Sequence, residues 1–128
     1  MGYAPAMPFA PADLAILDKA VEIEIETRAT TDAPSHLTIV WVVTDGPDTF
    51  VRSVKGSVAR WYREAIAHPE VVVHAAGRAL PARAVPTPDP TSIARTSAAL
   101  ERKYAGDADL APMLYRDVVD TTLRLEPA

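Results

Sequence analysis

The sequence predicts a mainly β protein of the α+β class. Six short strands curl into a small closed or half-closed barrel, with a helix after the third strand and further helices at the periphery. Three observations point there. Of 128 residues, about 62 are apolar, but 23 of these are Ala; among the remaining 39 side chains Val and Ile supply 19 and Leu only 9. β-branched side chains suit a pleated, half-buried surface better than a helix bundle. Short apolar or alternating runs bounded by turn residues recur from Val21 to Leu125. Two hairpin signals, with one helix inserted between them, give the order of an antiparallel barrel.

Each element follows from local pattern. Residues 1–11 carry Pro5, Pro8 and Pro11 and read as a loose N-terminal arm, before a short helix from Asp13 to about Ala20. Val21–Thr27 alternates strictly, a strand with one buried and one wet face. Thr30–Pro34 is turn chemistry. Leu37–Val43 is almost continuously apolar, the pattern of a strand covered on both sides. Asp45-Gly46-Pro47-Asp48 is a tight hairpin turn, and Thr49–Val54 returns from it. Ser57 stands as N-cap of a helix whose buried face is Val58, Trp61, Tyr62, Ala65 and Ile66. His68-Pro69 ends that helix. Val71–Ala76 and Ala79–Val85 are the next strands, joined by Gly77-Arg78, and Pro81 argues that the second is an edge strand. Asp89 as N-cap with Pro90 at the first position starts a helix with Ile93, Ser97, Leu100 and Tyr104 inside, closed by Gly106. Leu110–Tyr115 is a helical turn, and Val118–Leu125 the last strand. The length fits a single domain over residues 1–128.

Composition removes several function classes. There is no Cys, which excludes disulfides, thiolate metal sites and a cysteine nucleophile. No apolar run approaches the roughly 20 residues of a membrane span. Met1–Pro5 lacks the basic and apolar regions of a secretory leader, so a cytoplasmic location is expected. The net charge is −4, yet Val51–Arg63 holds Arg52, Lys55, Arg60 and Arg63 with no acid; that window carries +4 and the rest of the chain −8. Nucleic-acid binding needs a broad positive face and is not expected. A local site for one phosphate or carboxylate is.

The unit strand–Gly-Ser–helix, Phe50 to Trp61, concentrates the chemistry. A phosphate calls for forked cationic donors and free amides with no acid nearby. Arg52, Lys55, the hydroxyls of Ser53 and Ser57, and amides after Gly56 supply that set, with Arg60 one turn further on. The competing reading is a capped helix whose arginines pair with Glu22, Glu24 or Glu26 across the sheet.

Thr38-Ile39-Val40-Trp41, Asp45-Gly46, Phe50-Val51-Arg52-Ser53-Val54-Lys55-Gly56, Arg60-Trp61-Tyr62, His68-Pro69 and Val71-Val72-Val73-His74, in that order, resemble the FMN-binding split β-barrel superfamily. Within it they are most similar to the branch of pyridoxamine-phosphate-oxidase-like and deazaflavin-dependent nitroreductase-like proteins, and to an uncharacterised small-domain family there. The resemblance is good over Val21–Val85 and loose beyond. It implies a six-stranded split β-barrel and a homodimer with cofactor sites at the subunit interface. It also implies a phosphate held by Arg52, Ser53, Lys55, Gly56 and Ser57, with Arg60 and Trp61 alongside. Thr38 and Trp41 would lie near the ring system. The cofactor is FMN or an F420-type deazaflavin coenzyme, and it supplies the hydride chemistry toward a small-molecule substrate, so no catalytic acid or base is required. Gly56 stands without the glycine-rich stretch of many nitroreductase relatives. The alternative is a non-enzymatic barrel that has lost redox function and binds another anion or serves as a dimeric interaction module.

The other polar residues carry less. His36, His68 and His74 lack metal-ligand spacing. His68 reads as a helix C-terminal residue and His74 as a satisfied strand histidine. Glu22, Glu24 and Glu26 on one wet face read as solubility. No nucleophile elbow is present.

Overall fold

The apolar run Leu37–Val43 organises the sheet, though not as one strand. The computed structural model describes residues 7–128. It places β1 at Ile23–Thr27, β2 at His36–Val40 and, after a break at Trp41-Val42, β3 at Val43–Asp45, giving seven strands where six were expected. β4 (Asp48–Val51), β5 (Glu70–Ala75), β6 (Arg78–Pro86) and β7 (Leu123–Pro127) complete one antiparallel sheet of order β2-β1-β5-β6-β7-β4-β3. β2 and β3 are therefore opposite edges, yet Val40 and Val43 are three residues apart and can be separated by no more than about 11 Å. Only a sheet that curls until its edges approach meets both conditions. The result is a half-barrel whose seam is spanned by Trp41-Val42.

β2 is thus not covered on both faces. Leu37 and Ile39 sit opposite Glu26 and Glu24, and directly opposed residues share a face. They follow the glutamates outward, with Ile39 61% exposed. Val42 and Val43 lie past the bend and are buried. What looked like one doubly covered strand is an edge strand joined to a bend that turns inward.

The inner wall follows the alternation. Ile23 and Ile25 of β1, Val71 and Val73 of β5, Leu80 and Ala82 of β6, and Leu123 and Leu125 of β7 form the core. Leu17 of helix α1 (Pro11–Lys19) joins them. So does Phe9, buried although it falls in the stretch expected to be a loose arm; residues 1–6 of that arm lie outside the described residues. Pro81 lies in β6, inside the sheet and not at an edge. The β6–β7 ladder starts only at Ala82, opposite Pro127, and the Pro81 carbonyl accepts from the Ala128 amide at 3.1 Å. Its missing N–H therefore falls at the outer end of that ladder, where no sheet bond is lost. The turn between β5 and β6 is Ala76-Gly77, both at positive φ (52° and 75°), the geometry that a two-residue hairpin of this hand requires.

Helix α2 (Arg60–Ala67) starts later than the pattern implies. The Gly56 amide donates to the Ser53 carbonyl at 2.9 Å and Ser53 Oγ to the Gly56 carbonyl at 2.7 Å, closing a turn at φ +75° before any helix begins. A single 3₁₀ turn, Gly56–Val58, follows, and Ala59, not Ser57, occupies the N-cap without a side-chain bond. The inner face shifts accordingly. Trp61, Glu64 and Ala65 are buried, while Val58 (74%) and Ile66 are exposed.

Helix α3 (Pro90–Lys103) begins as expected, with Asp89 accepting from the Ser92 amide at 2.9 Å. Leu100 and Tyr104 are buried with Thr96 and Ala99, and pack with Val43, Phe50, Met113 and Val118 in a second cluster. The strand expected over Val118–Leu125 splits into helix α4 (Arg116–Val119) and β7. Thr121 and Thr122 hydroxyls donate to the Val118 and Val119 carbonyls at 2.6 and 2.7 Å, so side chains satisfy groups that a strand would have paired.

Candidate functional site

The seam creates a cleft. Along one side run Thr38, Ile39, Val40 and Trp41; along the other run Arg52, Ser53, Val54 and Lys55, followed by Ala59, Arg60 and Trp61 at the start of α2. Asp109, Pro112 and Met113 from the segment after α3 and Glu22 ahead of β1 complete a cavity of about 580 Å³. That lies within the range of small-molecule and cofactor sites. Seven of the nine residues singled out from sequence meet here: Thr38, Trp41, Arg52, Ser53, Lys55, Arg60 and Trp61. Gly56 and Ser57 are not among the lining residues. Gly56 belongs to the buried turn, and Ser57 is exposed outside the cleft.

Arg52 directly follows β4 and is 2% exposed. Its Nε donates to Thr122 Oγ1 at 2.8 Å, one terminal nitrogen to the Met113 carbonyl at 3.1 Å and the other to the Ile93 carbonyl at 2.9 Å. Of five guanidinium N–H groups, three are thereby used on the residue just before β7, on α3 and on the turn at Met113. Burial pushes its pKa down to about 10, still well above neutrality, so the group remains a cation. Among the described residues no carboxylate pairs with Arg52, Lys55, Arg60 or Arg63. The cross-sheet pairing with Glu22, Glu24 or Glu26 is absent from these residues. Ser53 Oγ is committed to its own turn, and the Ser53 amide donates to Thr121 Oγ1 at 2.9 Å. The open donors facing the cleft are Lys55 and Arg60, both exposed, with the buried charge of Arg52 behind them. The first amides of α2, at Arg60 and Trp61, have no intrahelical partner and stand at the same edge.

Glu22, Asp109 and Met113 were missed by sequence reasoning, because the signal used was local and these arrive from both ends of the chain. The histidines lie elsewhere. His36 Nδ1 is 3.2 Å from Glu64 Oε1, which also accepts from Thr27 Oγ1 at 2.9 Å. His74 Nε2 is 2.8 Å from Glu26 Oε1 on the outer sheet face. None of the three lines the cleft.

A family described as "Uncharacterized protein conserved in bacteria (DUF2255)" matches residues 13–125. The chain belongs to this family. No curated protein matches it. Solved structures place DUF2255 by fold. HutZ, the heme storage protein from Vibrio cholerae, superposes with a TM-score of 0.66 at 16% identity, over 95% of this chain and 92% of that one. A putative pyridoxamine 5′-phosphate oxidase from Listeria innocua gives 0.64 at 16% identity, over 91% and 90%. An F420-H2-dependent reductase, FDR-A, gives 0.62 at 14% identity, over 83% and 94%. At these identities the likeness is one of fold. This DUF2255 chain shares its half-barrel fold with these three proteins.

Proposed function

We propose that the seam cleft binds a phosphate-bearing flavin or deazaflavin cofactor, FMN or an F420-type coenzyme, in an oxidoreductase acting on a small molecule. The observation that carries this reading is the set of cations around one cleft, Lys55, Arg60 and buried Arg52, which outnumber the two lining carboxylates, Glu22 and Asp109, and pair with no carboxylate among the described residues. Such a site favours an anion, because the charge of Arg52 is already desolvated and lacks a counter-charge. The residues fit the group: Lys55, Arg60 and the first turn of α2 would hold the phosphate, and Trp41 and Thr38 would flank the ring. The bound cofactor supplies hydride transfer. Arg52 would act from behind, through its field, since its donors serve the fold. The reductase and the oxidase among the structural neighbours support a redox role; HutZ supports the view that the fold accommodates other ligands.

We further propose a single domain, a cytoplasmic protein and a homodimer that brings exposed Ile39 and Val54 of the cleft, with neighbouring exposed Leu37, against a second copy, without nucleic-acid or membrane partners. No described helix is long and apolar enough to cross a membrane. A second reading, a barrel without redox activity that binds a different anion, is favoured by one observation: Ser53 Oγ and most of Arg52 are committed to protein hydrogen bonds.

Titration of the purified protein with FMN and with the deazaflavin coenzyme tests both. The variant Lys55→Glu/Arg60→Glu is expected to bind at least about tenfold more weakly, with a wild-type fold by circular dichroism. Arg52→Glu is unsuitable, since it would set a carboxylate against two carbonyls and unfold the seam. Unchanged affinity in the double variant overturns the phosphate assignment. Binding of other organic phosphates but neither cofactor selects the second reading.

A further inference from the structure

Trp41 stands at the bend between β2 and β3, half-buried and lining the cleft. A tryptophan in a chain bend ordinarily keeps rotational freedom, but this one is held. The Tyr104 ring lies parallel to the indole, with centroids 3.8 Å apart and planes 5° from parallel. Tyr104 is fixed in turn: its hydroxyl donates to the Val21 carbonyl at 2.6 Å and lies 3.3 Å from that of Val42. The Lys103 ammonium stands 5.5 Å from the Tyr104 ring centroid and donates to the Leu17 and Val42 carbonyls at 3.1 and 2.7 Å. Val42 is the residue after Trp41, so the stack is fastened to the seam itself. Tyr104 does not line the cleft. It covers one face of the indole, while Trp41 itself lines the cleft.

We infer that Trp41, held by Tyr104 and Lys103, is a stacking platform, and that the cleft selects ligands carrying a flat aromatic or heteroaromatic ring whose anionic end reaches Lys55 and Arg60. The inference rests on the cleft being the ligand site and deepens the functional reading by specifying ligand shape; it does not require redox chemistry. Aromatic rings attract one another in offset stacks beyond the area they bury. A platform ordered before binding adds to affinity because no side chain must be immobilised when the ligand arrives. Ile39, Val54 and Met113 supply apolar lining around the ring, and a thioether packs well on aromatic surfaces. Tyr104 is a positioning residue in this arrangement, touching the platform and not the ligand.

The test uses the intact protein and four probes: FMN, riboflavin, anthraquinone-2-sulfonate as a flat anion that is not a flavin, and ribose 5-phosphate as an anion without an aromatic ring. Trp41→Leu is expected to weaken the three flat probes by about tenfold and leave ribose 5-phosphate unchanged, with Trp41→Phe restoring most of the loss. Tyr104→Leu is expected to weaken flat probes only, and Tyr104→Phe, which keeps the ring and loses the hydroxyl anchor to Val21, to weaken them less; if Tyr104→Leu fails to fold, the Trp41 pair decides. Flat probes that bind Trp41→Leu within twofold of wild type overturn the inference, as does failure of every flat probe to bind wild type. Should both cofactors fail while anthraquinone-2-sulfonate binds through Trp41, the cofactor reading falls and the platform stands.

Discussion

Replacing Arg52 with Met isolates the part this buried cation plays in the fold. Methionine keeps much of the length of the aliphatic stem and removes every donor. Three acceptors then lose their partner: Thr122 Oγ1, the Met113 carbonyl and the Ile93 carbonyl. A buried acceptor left without a donor costs about 1–3 kcal/mol. Relief from desolvating a guanidinium, and a water entering the vacated space, offset part of that, which brings the expected loss to about 3–5 kcal/mol. With an unfolding entropy of about 2.1 cal/mol/K per residue, a chain of this length gives a Tm decrease of about 10–20 °C. Urea unfolding followed by far-ultraviolet circular dichroism measures the free energy, and calorimetry the midpoint. Lys55→Met, at an exposed position of the same cleft, is the control and is expected within about 0.5 kcal/mol of wild type. A loss below about 1 kcal/mol for Arg52→Met refutes the assignment of Arg52 to the frame of the seam.

Two further predictions follow from geometry. Burial would raise the Glu64 carboxyl, but hydrogen bonds from Thr27 and His36 and the charges of His36 and Arg60 outweigh it and hold the group below its ordinary value near 4.5. A carboxyl depressed in the folded state adds stability that is complete above about pH 4.5 and fades as the pH falls through the folded value. Urea midpoints between pH 6 and 3 should therefore fall more steeply for wild type than for Glu64→Gln, and parallel curves would refute it. Leu37→Ser/Ile39→Ser should cost the isolated chain less than about 1 kcal/mol, because both side chains point outward from an edge strand; a loss of several kcal/mol, as for a core pair, would contradict that placement.

Much of the fold was legible locally. The alternation of Val21–Thr27 contains β1 (Ile23–Thr27), Asp45–Asp48 forms the turn between β3 and β4, and Asp89-Pro90 opens α3, because period, turn chemistry and capping act over a few residues. The seam was not. Nothing within Leu37–Val43 marks where an edge strand gives way to a bend, since Ile39 and Val42 are both apolar and only their neighbours across the sheet separate them. Ser57 has the chemistry of a cap, yet Ser53 and Gly56 close a turn that delays the helix and moves Glu64 inward.

The candidate site divides along the same line. Sequence by itself determined the class of the sheet, the absence of thiol chemistry and the isolated positive window from Arg52 to Arg63, since these rest on composition and on short-range order. Tertiary structure decided which of those charges face a ligand. It turned Arg52 inward onto Thr122, Met113 and Ile93, left Lys55 and Arg60 open, and set Tyr104 behind Trp41 from 63 residues away. Those placements depend on contacts between segments far apart in the chain, and they form only when a sheet whose edge strands are joined by two residues curls to close its seam.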